Sequence, residues 1–392
     1  MIESRNRALY PLIFGVVSGI TPSLFFWLAR AVGAHEQYAV IYGYGIAAIP
    51  FCIMWFTYET LPDRKHTLLC ILGLAALVRF INVGIPPLLS EDLWRYIWDG
   101  SLCWNNINPY SYAPSDPNLE FLVSDGDLVK LKHRIGHPDV PTVYPPGAQF
   151  IFQFATIFGP SQMMMRATMI IGDLISIFMV WKLAEIRTIN PACAALYAFM
   201  PLACVESSIG GHIDSIGVAL LLTGIYFSET KRPLLAAIYL TFAAGIKLAP
   251  IVLIIVVYVN NRRHFWYFIS VIALFLLWSN YQYGTYPKGL VTFAHKWRGN
   301  DGLFGLIYYL SELVVPVVSS VVRQSSWATD IVFFLVGGES VERLTSGNIA
   351  FALSKAIVIC ILCGSMLLTI KKCLSLLNSW WAIMGTLLLV SP

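Results

Sequence analysis

The feature that most constrains this chain is a succession of apolar runs of membrane-crossing length. Residues 8–30, 38–58 and 67–88 come first, and 163–184, 190–208, 213–230, 264–281, 348–370 and 376–390 follow a long polar interval. A bilayer core offers no water to satisfy backbone N–H and C=O groups, so such runs fold as helices that close their own hydrogen bonds. Only 12% of residues are charged and 57% are hydrophobic, with a mean hydropathy of +0.68. Soluble domains carry about 25% charged residues, so an ordinary globular chain is excluded. The expectation is an all-α, polytopic transmembrane bundle forming one domain over residues 1–392.

The net charge of +4 is small, and no basic run resembles a nucleic-acid footprint. Cys52, Cys70, Cys193, Cys204, Cys360 and Cys363 lie in apolar segments and read as small hydrophobes. Cys103 alone falls in the large polar loop, so no disulfide framework is implied. The C-x-x-C spacing of Cys360 and Cys363 has no His partners and is not read as a metal or redox site.

Sidedness follows from the placement of Lys and Arg. Arg5 and Arg7 put the N-terminus in the cytoplasm, and the run after them is too long for a signal peptide, so it is a retained first span. Arg64 and Lys65 mark a cytoplasmic hairpin loop, and a third crossing leaves residues 89–146 outside. Lys182 and Arg187 then fall inside, residues 211–214 outside, and Lys231 and Arg232 inside. Two segments must preserve that parity. Residues 143–160, opening at Val143-Tyr144-Pro145-Pro146, read as a short interfacial or re-entrant helix. Residues 233–260 read as a broken helical hairpin whose halves meet at Lys247, with an ammonium deep in the protein and an anion as its natural partner. Residues 282–302 form a second external loop. For 303–322 crossing and surface placement both remain open.

Polar chemistry concentrates in residues 89–112. On a helix Asp92, Arg95, Tyr96 and Asp99 share one face. The plain reading is a solvated amphipathic helix with an i,i+3 ion pair and interfacial Trp anchors; the functional one is a site for a polar group delivered from lipid. The same external face collects Glu91, His133, Arg134, His137, Tyr144, His212, Asp214, Lys296, Arg298 and Asp301. His133 and His137 read as structural or solvent-exposed. Nucleotide sugars are absent outside the cell, so a donor used there must arrive through the membrane. Arg79 is expected to meet a phosphate or to reach the headgroups, and Asp173 to hydrogen-bond a neighbouring helix.

Ser90-Glu91-Asp92-Leu93-Trp94-Arg95-Tyr96-Ile97-Trp98-Asp99-Gly100, followed by Ile107-Asn108-Pro109-Tyr110, resembles the first-loop signature of bacterial GT-C mannosyltransferase-like proteins. These are polyprenyl-phosphate-sugar-dependent glycosyltransferases. Also similar are His137-Pro138 with Thr142-Val143-Tyr144-Pro145-Pro146, the Gly211-His212-Ile213-Asp214 turn, Lys247 with Pro250, and Trp297-Arg298-Gly299-Asn300. The resemblance runs in order over about residues 79–302.

It implies a GT-C-like bundle in the bacterial inner membrane that moves a mannose-like hexose from polyprenyl phosphate to an external glycolipid or glycan hydroxyl, with inversion. Asp92 matches the acidic position of the motif and is the expected general base, with Glu91 its nearest rival. A phosphate ester leaves readily, so one carboxylate suffices, unlike the paired acids of a glycosidase. Lys247, Arg298 and Arg95 would neutralise the departing phosphate. Glu91, Asp99, Tyr144, His212, Asp214 and Asn300 would bind sugar or acceptor; Asp99 could instead pair with Arg95, and His212 with Asp214 could form a polar cap or touch a metal. No metal ligand set is assigned, and a divalent cation remains an open cofactor. Family members usually continue past Leu389-Val390-Ser391-Pro392, so a truncated, inactive homologue is one alternative. A transporter or flippase of a lipid-linked sugar is the other, and it would call for repeated halves that the sequence does not display.

Overall fold

The computed structural model describes residues 10–87, 89–124, 126–252, 262–284, 289, 302–336 and 345–371. Among the described residues every regular element is helical. In chain order they begin with α1 (Tyr10–Val32), α2 (Glu36–Thr57) and α3 (Lys65–Asn82). The first polar interval carries α4 (Asp92–Trp104), α5 (Gly126–Lys132) and α6 (Pro146–Ala155). Then come α7 (Gln162–Ile186), α8 (Ala194–Ala198), α9 (Pro201–Val205), a π turn (Glu206–Gly210), α10 (Asp214–Glu229) and α11 (Pro233–Ile246). The remainder is α12 (Arg262–Tyr283), α13 (Gly302–Gln324), α14 (Ser326–Val336) and α15 (Ser346–Lys371).

Seven of these, α1, α2, α3, α7, α12, α13 and α15, are long and apolar enough to cross a membrane. The chain is an all-α polytopic membrane protein. The expected span at 190–208 is instead a bent pair, Pro191–Ala198 and Pro201–Gly210, meeting at 61°. Pro201 starts the second piece because its missing N–H is harmless in a first turn but would break a continuous ladder. Residues 303–322 fall within α13, a helix of spanning length. The expected span at 213–230 is only 16 residues of helix, α10, and residues 376–390 lie outside the described residues.

Proline and serine chemistry sets several boundaries. Pro146 occupies the first turn of α6, a helix of 10 residues that is too short to cross. Ser161 caps α7, its hydroxyl accepting from the Met164 N–H at 3.3 Å. Helix α11 opens on Pro233 and stops at Ile246, where Lys247 is extended (φ −138°, ψ 140°). A 3-10 turn, Ala249–Val252, follows. Residues 253–260, the rest of the expected hairpin, lie outside the described residues.

Short loops bring the basic connections to one end. Arg187 pairs with Glu229, and the Asn190 amide donates to the Glu59 carbonyl at 3.5 Å. From there α10 and α11 run as an antiparallel hairpin, so Asp214 and Lys247 meet at the opposite end. Within the bundle Arg79 is fully buried beside Asp173, with side-chain exposures of 0% and 1%. The expectation that Arg79 meets a phosphate or the headgroups is therefore corrected. Its Nε donates to Asp173 Oδ2 at 2.5 Å and its Nη1 to the Ala198 carbonyl at 2.8 Å. Asp173 also accepts from the Tyr197 hydroxyl at 2.7 Å and from the Ser207 hydroxyl at 3.2 Å. A lone buried charge would be far too costly in this apolar setting, so acid and base converge from different helices.

Candidate functional site

Helix α4 positions the first half of the site. It is not a solvated amphipathic helix, because Leu93 through Leu102 are buried without a break. Leu93, Tyr96, Trp98 and Leu102 join Ala148 and Phe152 of α6, Met165 and Met169 of α7, Ile213 and Ile246 in one core. Tyr96 stacks on Phe152 at 4.4 Å between centroids and meets the Tyr144 ring edge-on at 5.0 Å. A Cβ on Gly100 would lie 2.3 Å from the Phe152 carbonyl oxygen, so α4 and α6 pack at backbone contact there.

The charges on α4 divide between two environments. Arg95 does not pair with Asp92 at i,i+3; its Nε donates to Asp99 Oδ1, four residues on, at 2.9 Å. Their side chains are 10% and 0% exposed. Asp99 Oδ2 accepts from Gln149 Nε2 at 3.1 Å, and the same amide donates to the Thr142 hydroxyl at 2.7 Å. Arg95 and Asp99 are thus drawn into a buried polar network between α4 and α6.

Asp92, by contrast, is half-buried at the first position of α4, the positive end of the helix dipole, and its N–H donates to the Ser90 hydroxyl at 3.2 Å. Burial, followed by the Asp92 charge and hydrogen bond, keeps the Tyr144 phenol well above its ordinary pKa and so protonated. Tyr144 is fixed in turn by its carbonyl, which accepts from the Tyr110 hydroxyl at 2.7 Å. Glu91, one residue earlier, is exposed and lies against Gly136, on another side of the helix end. His133 and His137 are exposed, and Arg134 stacks over the Trp94 ring at 4.7 Å.

The second half comes from the π turn and the α10–α11 hairpin. Gly211 takes a left-handed conformation (φ 65°), turning the chain so that His212 folds back on Glu206. The His212 N–H donates to the Glu206 carbonyl at 2.9 Å, and its Nδ1 lies 2.5 Å from Glu206 Oε2. Burial alone would depress the imidazole pKa. The hydrogen bond and charge of Glu206, with the charges of Asp92 and Asp214, outweigh it and leave His212 above 6.5. Asp214 Oδ1 lies 2.5 Å from Lys247 Nζ. Lys247 was expected deep in the protein; its side chain is 52% exposed and that of Asp214 47%. A Cβ on Gly211 would lie 2.9 Å from Leu93 of α4, and Leu93 shares a core with Ile213 and Ile246, which places the two halves against one another.

Arg298, Asn300, Lys296 and Asp301 lie outside the described residues. Among the described residues no three His, Cys, Asp or Glu side chains come together as a metal would require. Three residues at or beneath the site escape local sequence reasoning: Glu206, Gln149 and Arg166. Arg166 is buried on α7 and donates to the Val83 and Ile209 carbonyls at 2.6 and 2.8 Å, bracing the π turn. Each is a polar residue inside an apolar run, the signal that marks intramembrane function.

Fold and site together define a polytopic membrane protein carrying a carboxylate, a phenol, an imidazole and an ammonium at one end of its bundle. The chain matches the family described as Alpha-(1->6)-mannopyranosyltransferase, N-terminal domain, over residues 15–262, and it belongs to that family of GT-C type mannosyltransferases. No curated protein matches it. The matched stretch contains Asp92, Tyr144, Glu206, His212, Asp214 and Lys247.

Proposed function

We propose that this glycosyltransferase moves a mannose-like hexose from a polyprenyl-phosphate carrier to an acceptor hydroxyl, with Asp92 as general base. Asp92 removes the acceptor proton as the hydroxyl oxygen bonds to the anomeric carbon; the bond from that carbon to the carrier phosphate breaks on the opposite face, and inversion results. What supports this reading is a half-buried carboxylate at the start of α4, Asp92, whose neighbour Leu93 shares a core with Ile213 and Ile246, next in sequence to the ion-paired Asp214 and Lys247. Lys247 supplies positive charge to the departing phosphate, and Arg298 is proposed to assist. Tyr144 stays protonated beside Asp92 and donates to the acceptor or the sugar. Glu91, Asn300 and the His212 turn are proposed to bind sugar and acceptor, while Arg95 and Asp99 hold the base-bearing helix in register.

The acceptor side is proposed to face outward, across the inner membrane of a bacterium, because the loops at the opposite end carry Lys182, Arg187, Lys231 and Arg232. A lipid donor follows from that placement. The test is transfer by the purified protein from radiolabelled polyprenyl-phosphate mannose and, in parallel, from nucleotide-activated mannose. Label is expected to reach an acceptor only from the lipid donor. Transfer from the nucleotide sugar would overturn the donor assignment, and movement of the lipid sugar across vesicles without transfer would point to a transporter.

A further inference from the structure

Two ion pairs stand on the π turn and the α10–α11 hairpin, and they differ in accessibility. His212 is held twice by Glu206, through its N–H and through Nδ1. Its Nε2 is buried and has no hydrogen-bond partner among the described residues. Lys247 and Asp214 form the accessible pair, half-exposed on both sides. Each stands at a helix end, Lys247 just beyond α11 and Asp214 at the start of α10, so either side chain can swing without unwinding a turn. Asp214 lies two residues from His212 in sequence and already acts on it electrostatically.

We propose that Asp214 is an exchangeable counter-ion: it occupies Lys247 in the unliganded protein, and the carrier's phosphate displaces it onto His212 Nε2. The proposal rests on the reading that this site takes a phosphate-bearing lipid. It explains why a buried imidazole nitrogen is left without a partner among the described residues, a costly arrangement unless another state of the protein satisfies it. It also explains how an anion enters a patch that already holds Asp92, Asp214 and Glu206. After the exchange Glu206 and Asp214 share the His212 imidazolium, and the phosphate takes the Lys247 ammonium. No covalent bond changes.

His212 is surrounded by Glu206 from the π turn, Asp92 from α4 and Asp214 from α10. Behind these stand Lys247 on Asp214, the Tyr96 and Tyr144 phenols on Asp92, Tyr44 of α2 near Glu206, and Arg166 of α7 under Gly211. The exchange needs a protonated imidazole to receive Asp214, so it weakens as pH rises through the His212 pKa, which lies above 6.5.

The experiment is equilibrium binding of farnesyl phosphate, a short polyprenyl phosphate, to the purified full chain in detergent. Asp214→Asn frees Lys247, and affinity should rise by about two- to fivefold, the worth of a half-exposed ion pair. His212→Gln should weaken binding in the wild-type background but not in Asp214→Asn. The fall in affinity with rising pH should be largely lost in Asp214→Asn, which reports the probe's own ionisation. Asp214→Glu retains the charge, should bind as wild type, and controls for folding. Weaker or unchanged binding in Asp214→Asn would overturn the proposal, as would an equal effect of His212→Gln in both backgrounds or no binding by any variant. None of these results depends on turnover, so they stand apart from the test of Asp92 as base.

Discussion

Two charged contacts carry the account at the scale of single residues, and each makes a measurable demand. Asp173, its side chain 1% exposed, sits between Arg79, Tyr197 and Ser207. Asp173→Asn keeps the shape but strands a buried guanidinium, at a cost of about 3–5 kcal/mol. Thermal unfolding in detergent should show a large loss of stability; a stability within about 1 kcal/mol of wild type would mean that Arg79 finds another anion. The His212–Glu206 pair links stability to pH. The folded pKa is raised, so the pair's contribution is fully present below the ordinary imidazole value of 6.5 and is lost as pH rises through the folded pKa. Unfolding measured from pH 6 to 9 should show this decline in the wild type and a flatter profile in Glu206→Gln.

Among the elements, the α4–α6 contact sets where Asp92 and Tyr144 stand. Gly100→Ala would thrust a methyl group to 2.3 Å from the Phe152 carbonyl and force the two helices apart. Overpacking of this kind costs about 1–3 kcal/mol, and the displaced base should cost turnover more than that loss of stability explains. Parallel measurement of unfolding and of transfer in membranes checks it. Much at this scale is legible in the sequence. Pro146 announces a short helix, Pro233 and the Lys247–Pro250 stretch announce a helix that stops, and the apolar runs announce most spans. What local pattern cannot show is pairing at long separation. Arg79 and Asp173 are 94 residues apart, and either alone looks like a charge in search of lipid or water. On α4 the two spacings available to Arg95, to Asp92 and to Asp99, are indistinguishable in sequence, and only the burial of Asp99 against Gln149 settles the partner. Glu206 is hidden for another reason. It begins a π turn, and no 3.6-residue periodicity foretells that His212 will fold back on it.

For the molecule as a whole, the claim is polarity: short basic connections at one end, the carboxylate and its cations at the other. Introduced cysteines in a cysteine-free background test it with a membrane-impermeant maleimide on intact cells. Cysteine at exposed His133 should label from outside, and cysteine at exposed Lys231 only after permeabilisation; the reverse pattern would put the site in the cytoplasm and remove the reason for a lipid donor. The family match covers the helices that build this polar end, from within α1 to the start of α12. The resemblance read in the first loop and the match over residues 15–262 therefore rest on the same structural unit.

The central claim is that Asp92 accepts the proton of the attacking hydroxyl. Its most direct test is single-turnover transfer by purified Asp92→Asn, with carrier binding measured on the same preparation. The account predicts a fall in rate of about 10²- to 10⁴-fold, the usual contribution of a general base, with carrier affinity unchanged. A rate within about threefold of wild type would contradict it, since loss of a general base is expected to cost far more than that.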